Sequence, residues 1–133
     1  MKYRDTFPKY LERPNFIFDC RGITNPGRID KLKPLNGKDA AVIAFLEKEP
    51  DARAFFNGVQ RTALDTIPAF AAKQYSDELA IGFGCTGGQH RSVYFAEQAA
   101  ALLTGAQDDP PTLRVRLEHL DIDAHYTLGE NSK

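Results

Sequence analysis

A short apolar run, Leu79-Ala80-Ile81-Gly82-Phe83, passes through Gly84-Cys85-Thr86-Gly87-Gly88-Gln89-His90-Arg91-Ser92 into a helical pattern over Arg91 to Leu103. Too short for a buried helix and followed by paired glycines, the run reads as a buried strand that ends in a tight turn. Val93, Ala96, Ala100 and Leu103 then recur on one helical face, with Gly105 placed to close the helix as a C-cap. Strand, glycine turn and helix in that order is the unit from which parallel sheets are built. Ligands of such sheets gather at the carboxyl ends of the strands.

Elsewhere the pattern repeats. Phe16-Ile17-Phe18 breaks into Asp19-Cys20-Arg21, which predicts a second buried strand with a charged carboxyl end. Residues Ile23 to Gly37 hold two prolines and most of the local basic charge, so they read as a long loop, and long loops in compact domains tend to bind something. Helices are predicted over Asp39 to Lys48 and Pro50 to about Lys73, with Pro50 in the first turn of the second. Phe55, Val59, Ala63, Ile67 and Phe70 form the buried face of that second helix, and Pro68 is expected to kink or divide it. Alternation over Leu113 to Leu120 predicts a third strand. The expected fold is α/β: a small, mainly parallel sheet with helices on its faces and a ligand loop at the carboxyl ends of its strands. Both charged strand ends, Asp19 to Arg21 and Cys85 to Arg91, then open toward the same edge.

Composition narrows the function classes. With 133 residues, 42% of them hydrophobic, the chain suits one domain spanning 1–133, with its core over about 16–121. No apolar stretch has the length a bilayer requires, and Met1 to Thr6 leads into Phe7-Pro8 with no signal-like apolar region, so a soluble cytoplasmic protein is expected. Cys20 and Cys85 lack the spacing of a disulfide framework or a zinc module, and no metal or cofactor is expected. A net charge of −1 gives no global reason to bind nucleic acid. Locally, Arg21, Arg28, Lys31, Lys33 and Lys38 meet one acid, Asp30, whereas Glu118, Asp121, Asp123 and Glu130 meet no Lys or Arg.

The chemistry concentrates in the glycine-rich loop. Successive backbone N–H groups converge on one oxyanion, glycine permits the close approach, and the helix N-terminus adds partial positive charge. Arg91 can add a bidentate clamp, and Ser92 or Thr86 a hydroxyl. His90 is read either as an anion contact or as a histidine bonded to backbone. His119 and His125 are read as exposed or partner-facing, and Tyr94 and Phe95 as core or rim of the last helix. Asp19 and Arg21 fit either an ion pair at a strand end or a ligand shell beside the loop. The spacing Cys85-x5-Arg91-Ser92 also matches the phosphate loop of cysteine-dependent phosphatases, in which a thiolate attacks phosphorus. Against that, Gly84 stands where tyrosine phosphatases usually carry histidine, and no residue is placed as general acid beyond Asp19 at the neighbouring strand end and Asp109 before Pro110 as candidates.

These same residues resemble the C-terminal domain of the RNase adapter protein RapZ. The resemblance rests on Phe16-Ile17-Phe18-Asp19-Cys20-Arg21 with Asn25-Pro26, on Leu32 to Leu35 with Gly37-Lys38-Asp39 and Val42-Ile43, and above all on Ile81 to Tyr94 with Ala96-Glu97-Gln98. It implies a non-enzymatic regulatory domain that senses glucosamine-6-phosphate and binds small regulatory RNA, with Thr86, Gly87, His90 and Arg91 at the family's anion pocket. Members normally carry an N-terminal nucleotide-binding domain with a Walker loop. No G-x-x-x-x-G-K-[ST] occurs in this sequence, so a free-standing version is expected. Where the family has a basic RNA-associated tail, this chain has the acidic Asp121 to Glu130, which weighs against RNA more than against a phosphorylated metabolite.

The expectation is therefore a non-catalytic sensor or adaptor that binds a phosphorylated small molecule, a sugar phosphate by resemblance. Its ligand residues are Asp19, Arg21, Asn25, Thr86, Gly87, Gly88, His90, Arg91 and Ser92. RNA, a protein partner or a second copy of the chain are further partners, with Arg28, Lys31 and Lys33 as the docking residues. A cysteine-dependent phosphatase using Cys85 and Arg91, and a protein-interaction subunit, are the alternatives.

Overall fold

A computed structural model describes residues 15–73, 79–105, 114–119 and 122, with the side chains of 70–73 outside that description. Two four-residue strands, β1 (Phe16–Asp19) and β2 (Ile81–Gly84), pair in parallel, with Phe16 opposite Ile81 and Asp19 opposite Gly84. Parallel strands require a long crossover. Here it carries helices α1 (Ala40–Lys48) and α2 (Pro50–Lys73), and β2 leads into α3 (Arg91–Gly105). This is the α/β arrangement expected, with the β1 and β2 carboxyl ends side by side at one edge.

β1 turns directly into a 3-10 turn at Cys20–Gly22, because the Asp19 carboxylate accepts the Arg21 N–H at 3.0 Å. A second 3-10 turn, Pro26–Arg28, is capped the same way by Asn25 on the Gly27 N–H at 2.9 Å. Short side-chain acceptors two residues ahead of a donor are what Asp and Asn supply. The rest of the Ile23 to Gly37 stretch is loop, as expected.

Phe95 of α3 lies at the centre of the core with no exposed surface. Its ring meets Phe55 at 4.8 Å, Tyr94 at 5.1 Å and Phe56 at 6.4 Å between centroids. Phe18 of β1 stacks on Phe83 of β2 at 5.4 Å and meets Phe55 edge-on. Val42 and Leu46 of α1 are fully buried in the same core cluster, and Val59 of α2 is likewise buried. Such rings bury large apolar areas and hold α3 against the sheet.

Three expectations change. Helix α2 is not divided at Pro68, which lies exposed within it. Val59, Ala63 and Ile67 stay buried along its length, and that packing outweighs the lost backbone bond. Residues 114–119 form no strand, and Leu117 is exposed; this segment is instead fixed by His119, whose Nε2 bonds Glu97 Oε2 of α3 at 2.7 Å. His119 is accordingly buried, not exposed. Phe70, Leu113, Leu120 and His125 fall in part or wholly outside the described residues, as does Asp109.

Candidate anion site

The loop between β2 and α3 divides into an exposed tip and a buried return. Thr86 and Gly87 are exposed, whereas Cys85, Gly88, His90, Arg91 and Ser92 are buried. Gly88 has φ 65°, in the left-handed region where a side chain is strained, so glycine is required for the chain to turn back. Among the described residues, no amide from Thr86 to Arg91 donates to a backbone carbonyl. These amides lie at the N-terminus of a 15-residue helix, whose first-turn donors and dipole favour negative charge.

Cys85 sits beneath the tip. Its Sγ lies 3.2 Å from Ser92 Oγ and 3.4 Å from the Ser92 N–H. Burial pushes the thiol up, but the Ser92 hydroxyl, the Ser92 and Gly88 amides and the Arg91 charge outweigh it, leaving its pKa below the ordinary cysteine value. Cys20 behaves in the opposite way: burial and the neighbouring Cys85 push its thiol well up.

The buried return holds the loop that follows β1. Gln89 Nε2 donates to the carbonyls of Lys33 at 3.0 Å and Leu35 at 2.7 Å. His90 Nε2 bonds the Leu32 carbonyl at 2.9 Å, and since a carbonyl only accepts, this nitrogen carries the proton. Arg91 Nη1 donates to the carbonyls of Arg21 and Ile23, each at 2.8 Å. Arg91 Nε is buried without a partner among the described residues. The Gly37 N–H closes the seam on the Gln89 carbonyl at 2.9 Å. A Cβ at Gly37 would collide with the His90 carbonyl and the Tyr94 nitrogen, so only glycine permits this approach.

Asp19 and Arg21 pair at the exposed end of β1 through three contacts between 2.6 and 2.9 Å. The Arg21 guanidinium hydrogen bonds, joined by the Arg21 N–H, lower the Asp19 carboxyl to about 2. Asp51, in the first turn of α2, accepts both the N–H and the hydroxyl of Thr24 at 2.8 Å. Burial raises its pKa, but the Thr24 bonds together with the Ala52 and Asp51 backbone N–H groups outweigh it and leave the pKa below the ordinary carboxylate value.

The structure thus brings Thr86, Gly87, Gly88, His90, Arg91 and Ser92 together around one helix N-terminus, with Asn25 beside His90 through Gly27, whose Cβ position lies 3.3 Å from the His90 ring. Asp19 and Arg21 stand at the same sheet edge by strand register. Arg28, Lys31 and Lys33 lie exposed on the adjoining loop. Sequence reasoning missed Gln89 and Gly37, which fasten that loop. Their only signals were an amide inside the glycine-rich turn and a glycine after Pro34-Leu35-Asn36 that read as loop punctuation.

A parallel pair of strands, a glycine-rich turn and a helix start define a small α/β domain. Comparison with known proteins narrows it: the family model of the RapZ C-terminal domain matches residues 3–123, and the chain belongs to that family. A protein of Leptothrix cholodnii named "Nucleotide-binding protein" is 40% identical over 114 residues, 86% of this chain and 34% of its own length. A protein of the same name from Acidithiobacillus ferrooxidans is 41% identical over 115 residues, 86% of this chain and 36% of its own length. This chain therefore spans about a third of the length of the curated relatives it matches. No helix of the described residues is long and apolar enough to cross a membrane.

Proposed function

We propose that this domain is a non-catalytic regulatory module that takes the phosphate group of a small molecule on the Cys85 to Ser92 loop. A sugar phosphate such as glucosamine-6-phosphate is the candidate by resemblance. The carrying observation is the set of amides from Thr86 to Arg91 that have no backbone acceptor at the start of α3. Arg91, the first residue of α3, also keeps a buried Nε donor with no partner among the described residues. A name shared by the relatives, "Nucleotide-binding protein", agrees with a phosphorylated ligand. It belongs to chains about three times this length.

Phosphatase chemistry is the second reading, favoured by the Cys85 and Ser92 contact. Two features weigh against it. Arg91 commits Nη1 to two loop carbonyls, and Asp19, held ionised down to about 2 by Arg21, has no proton to deliver to a leaving group at neutral pH.

A thermal-shift titration tests the proposal. A ligand that binds only the folded state stabilises it by about 2.7 kcal/mol at a hundredfold excess over Kd. Phosphate and sugar phosphates are expected to raise the melting temperature of the full chain. Gly87→Asp should abolish that rise without unfolding the protein, because nothing lies within 4 Å of a Cβ there and the new carboxylate repels the anion. Equal stabilisation of the variant would refute the site. Release of phosphate from an aryl phosphate at about 1 per second or faster, dependent on Cys85, would favour the phosphatase.

A further inference from the structure

The anion-binding role makes no use of the second thiol beside the loop. Strand register sets Asp19 opposite Gly84 as the last pair of β1 and β2, and Cys20 and Cys85 are the residues that follow the two strands, Cys20 opening the 3-10 turn and Cys85 the glycine-rich loop. Neighbouring strands lie about 4.8 Å apart, so the two cysteines leave the sheet from backbone positions whose spacing falls within the Cα separation that a disulfide spans. The 3-10 turn that begins with Cys20 packs against β2, and both cysteines belong to the same core cluster as free thiols. Cys85 receives the Ser92 N–H and faces the Ser92 hydroxyl at the start of α3, an environment that favours a thiolate. Thr86 and Gly87, the residues that follow Cys85, are exposed, so the thiol lies next to the protein surface.

We propose that Cys85 and Cys20 are a peroxide-sensitive thiol pair, in which Cys85 is oxidised first and Cys20 then closes a disulfide across the ends of β1 and β2. In the first step the Cys85 thiolate attacks one oxygen of hydrogen peroxide. The O–O bond breaks, an S–O bond forms, and the departing hydroxide takes a proton to become water. Next the Cys20 sulfur attacks the Cys85 sulfenic sulfur. The S–O bond breaks and hydroxide leaves with the Cys20 proton as a second water. The two thiols together lose two electrons and two protons, and the peroxide is reduced to water. A dithiol reductant reverses the bond by exchange.

The two environments fix the order. The Ser92 hydroxyl and amide hold the Cys85 thiol below the ordinary cysteine value, whereas burial pushes Cys20 up, so Cys85 is the more readily ionised and attacks first. The disulfide pulls the Cys85 sulfur from its Ser92 contacts and ties the floor of the anion loop to the turn whose carbonyls Arg91 holds. Oxidation would thereby alter the cradle without any metal or cofactor.

Peptide mapping of the full chain after brief exposure to hydrogen peroxide tests this, with remaining thiols alkylated before digestion. The expected result is a linked pair of peptides containing Cys20 and Cys85 in the monomeric chain, with loss of alkylatable thiol at both positions and full recovery under dithiothreitol. In Cys20→Ala, Cys85 should be trapped by dimedone as the sulfenic acid. In Cys85→Ala, Cys20 should remain alkylatable. Both thiols still alkylatable in the wild-type chain, disulfides formed only between chains, or Cys20 oxidised at an unchanged rate in Cys85→Ala would each overturn the proposal; the wild-type mapping stands even where a variant fails to fold.

Discussion

Replacing Arg91 by alanine should cost the fold before it costs any ligand. Its guanidinium donates through Nη1 to the carbonyls of Arg21 and Ile23, the first bond half-buried and the second buried. Hydrogen bonds from a charged donor contribute roughly 1.5–3 kcal/mol each. Water can reach the Arg21 carbonyl after truncation, whereas the Ile23 carbonyl is left dry, so the lower end applies and the loss is about 3 kcal/mol in total. Unfolding entropy of about 2.1 cal/mol/K per residue, over 133 residues, converts this into a fall in Tm of roughly 10 °C. Typical domains have only about 5–15 kcal/mol in all, so the variant remains folded at low temperature. Arg91→Lys recovers at most one of the two bonds, since an ammonium cannot reproduce the planar fork, and should lie about midway. Urea unfolding monitored by circular dichroism measures both. A loss below about 0.5 kcal/mol for Arg91→Ala, the range of an ordinary surface change, would refute the structural role of this residue.

Other sites give sharper contrasts. Gly37→Ala should destabilise the chain by about 1–3 kcal/mol in urea unfolding, because its Cβ meets backbone atoms of His90 and Tyr94 that cannot rotate away. Asp51→Asn should cost at most about 1 kcal/mol at pH 7, since its bonds to Thr24 lie at the exposed surface, where solvent screens them. The Asp51 pKa is depressed in the folded state, so its contribution is present above the unfolded value and fades as pH falls through the folded one; unfolding midpoints of wild type and variant should converge below about pH 4. RNA binding by the isolated chain should be weak and lost at physiological salt, and replacing Arg28, Lys31 and Lys33 together should abolish what remains. Filter binding checks this, with a salt slope of roughly −0.7 per phosphate contact on single strands.

What could be read in the sequence was whatever local chemistry decides. The Leu79 to Ser92 stretch announced strand, turn and helix because short apolar runs, paired glycines and helical spacing each admit few local structures. Phe16 to Arg21 was legible for the same reason. Leu113 to Leu120 misled because alternation alone does not make a strand: residues 114–119 form none, and among the described contacts His119 bonds Glu97 of α3. Pro68 misled because helix packing outweighed a local rule. Within the site, residue type identified the loop but not the division of labour. Gln89, His90 and Arg91 have the chemistry of ligand contacts, and the structure directs Gln89 Nε2, His90 Nε2 and Arg91 Nη1 to carbonyls of Arg21, Ile23, Leu32, Lys33 and Leu35. Those acceptors lie more than fifty residues away in sequence, beyond the reach of any local pattern. Gly37 was hidden likewise, since its requirement comes from a helix start far along the chain.

The central claim is that an anion sits on the amides at the start of α3, and amide chemical shifts read those donors directly. Inorganic phosphate titrated into nitrogen-15-labelled chain at constant ionic strength should give saturable shifts at Thr86, Gly87, Gln89 and Arg91, with little change at Arg28, Lys31 and Lys33. Shifts confined to that basic loop, or none that saturate in the Cys85 to Ser92 segment, would contradict the account.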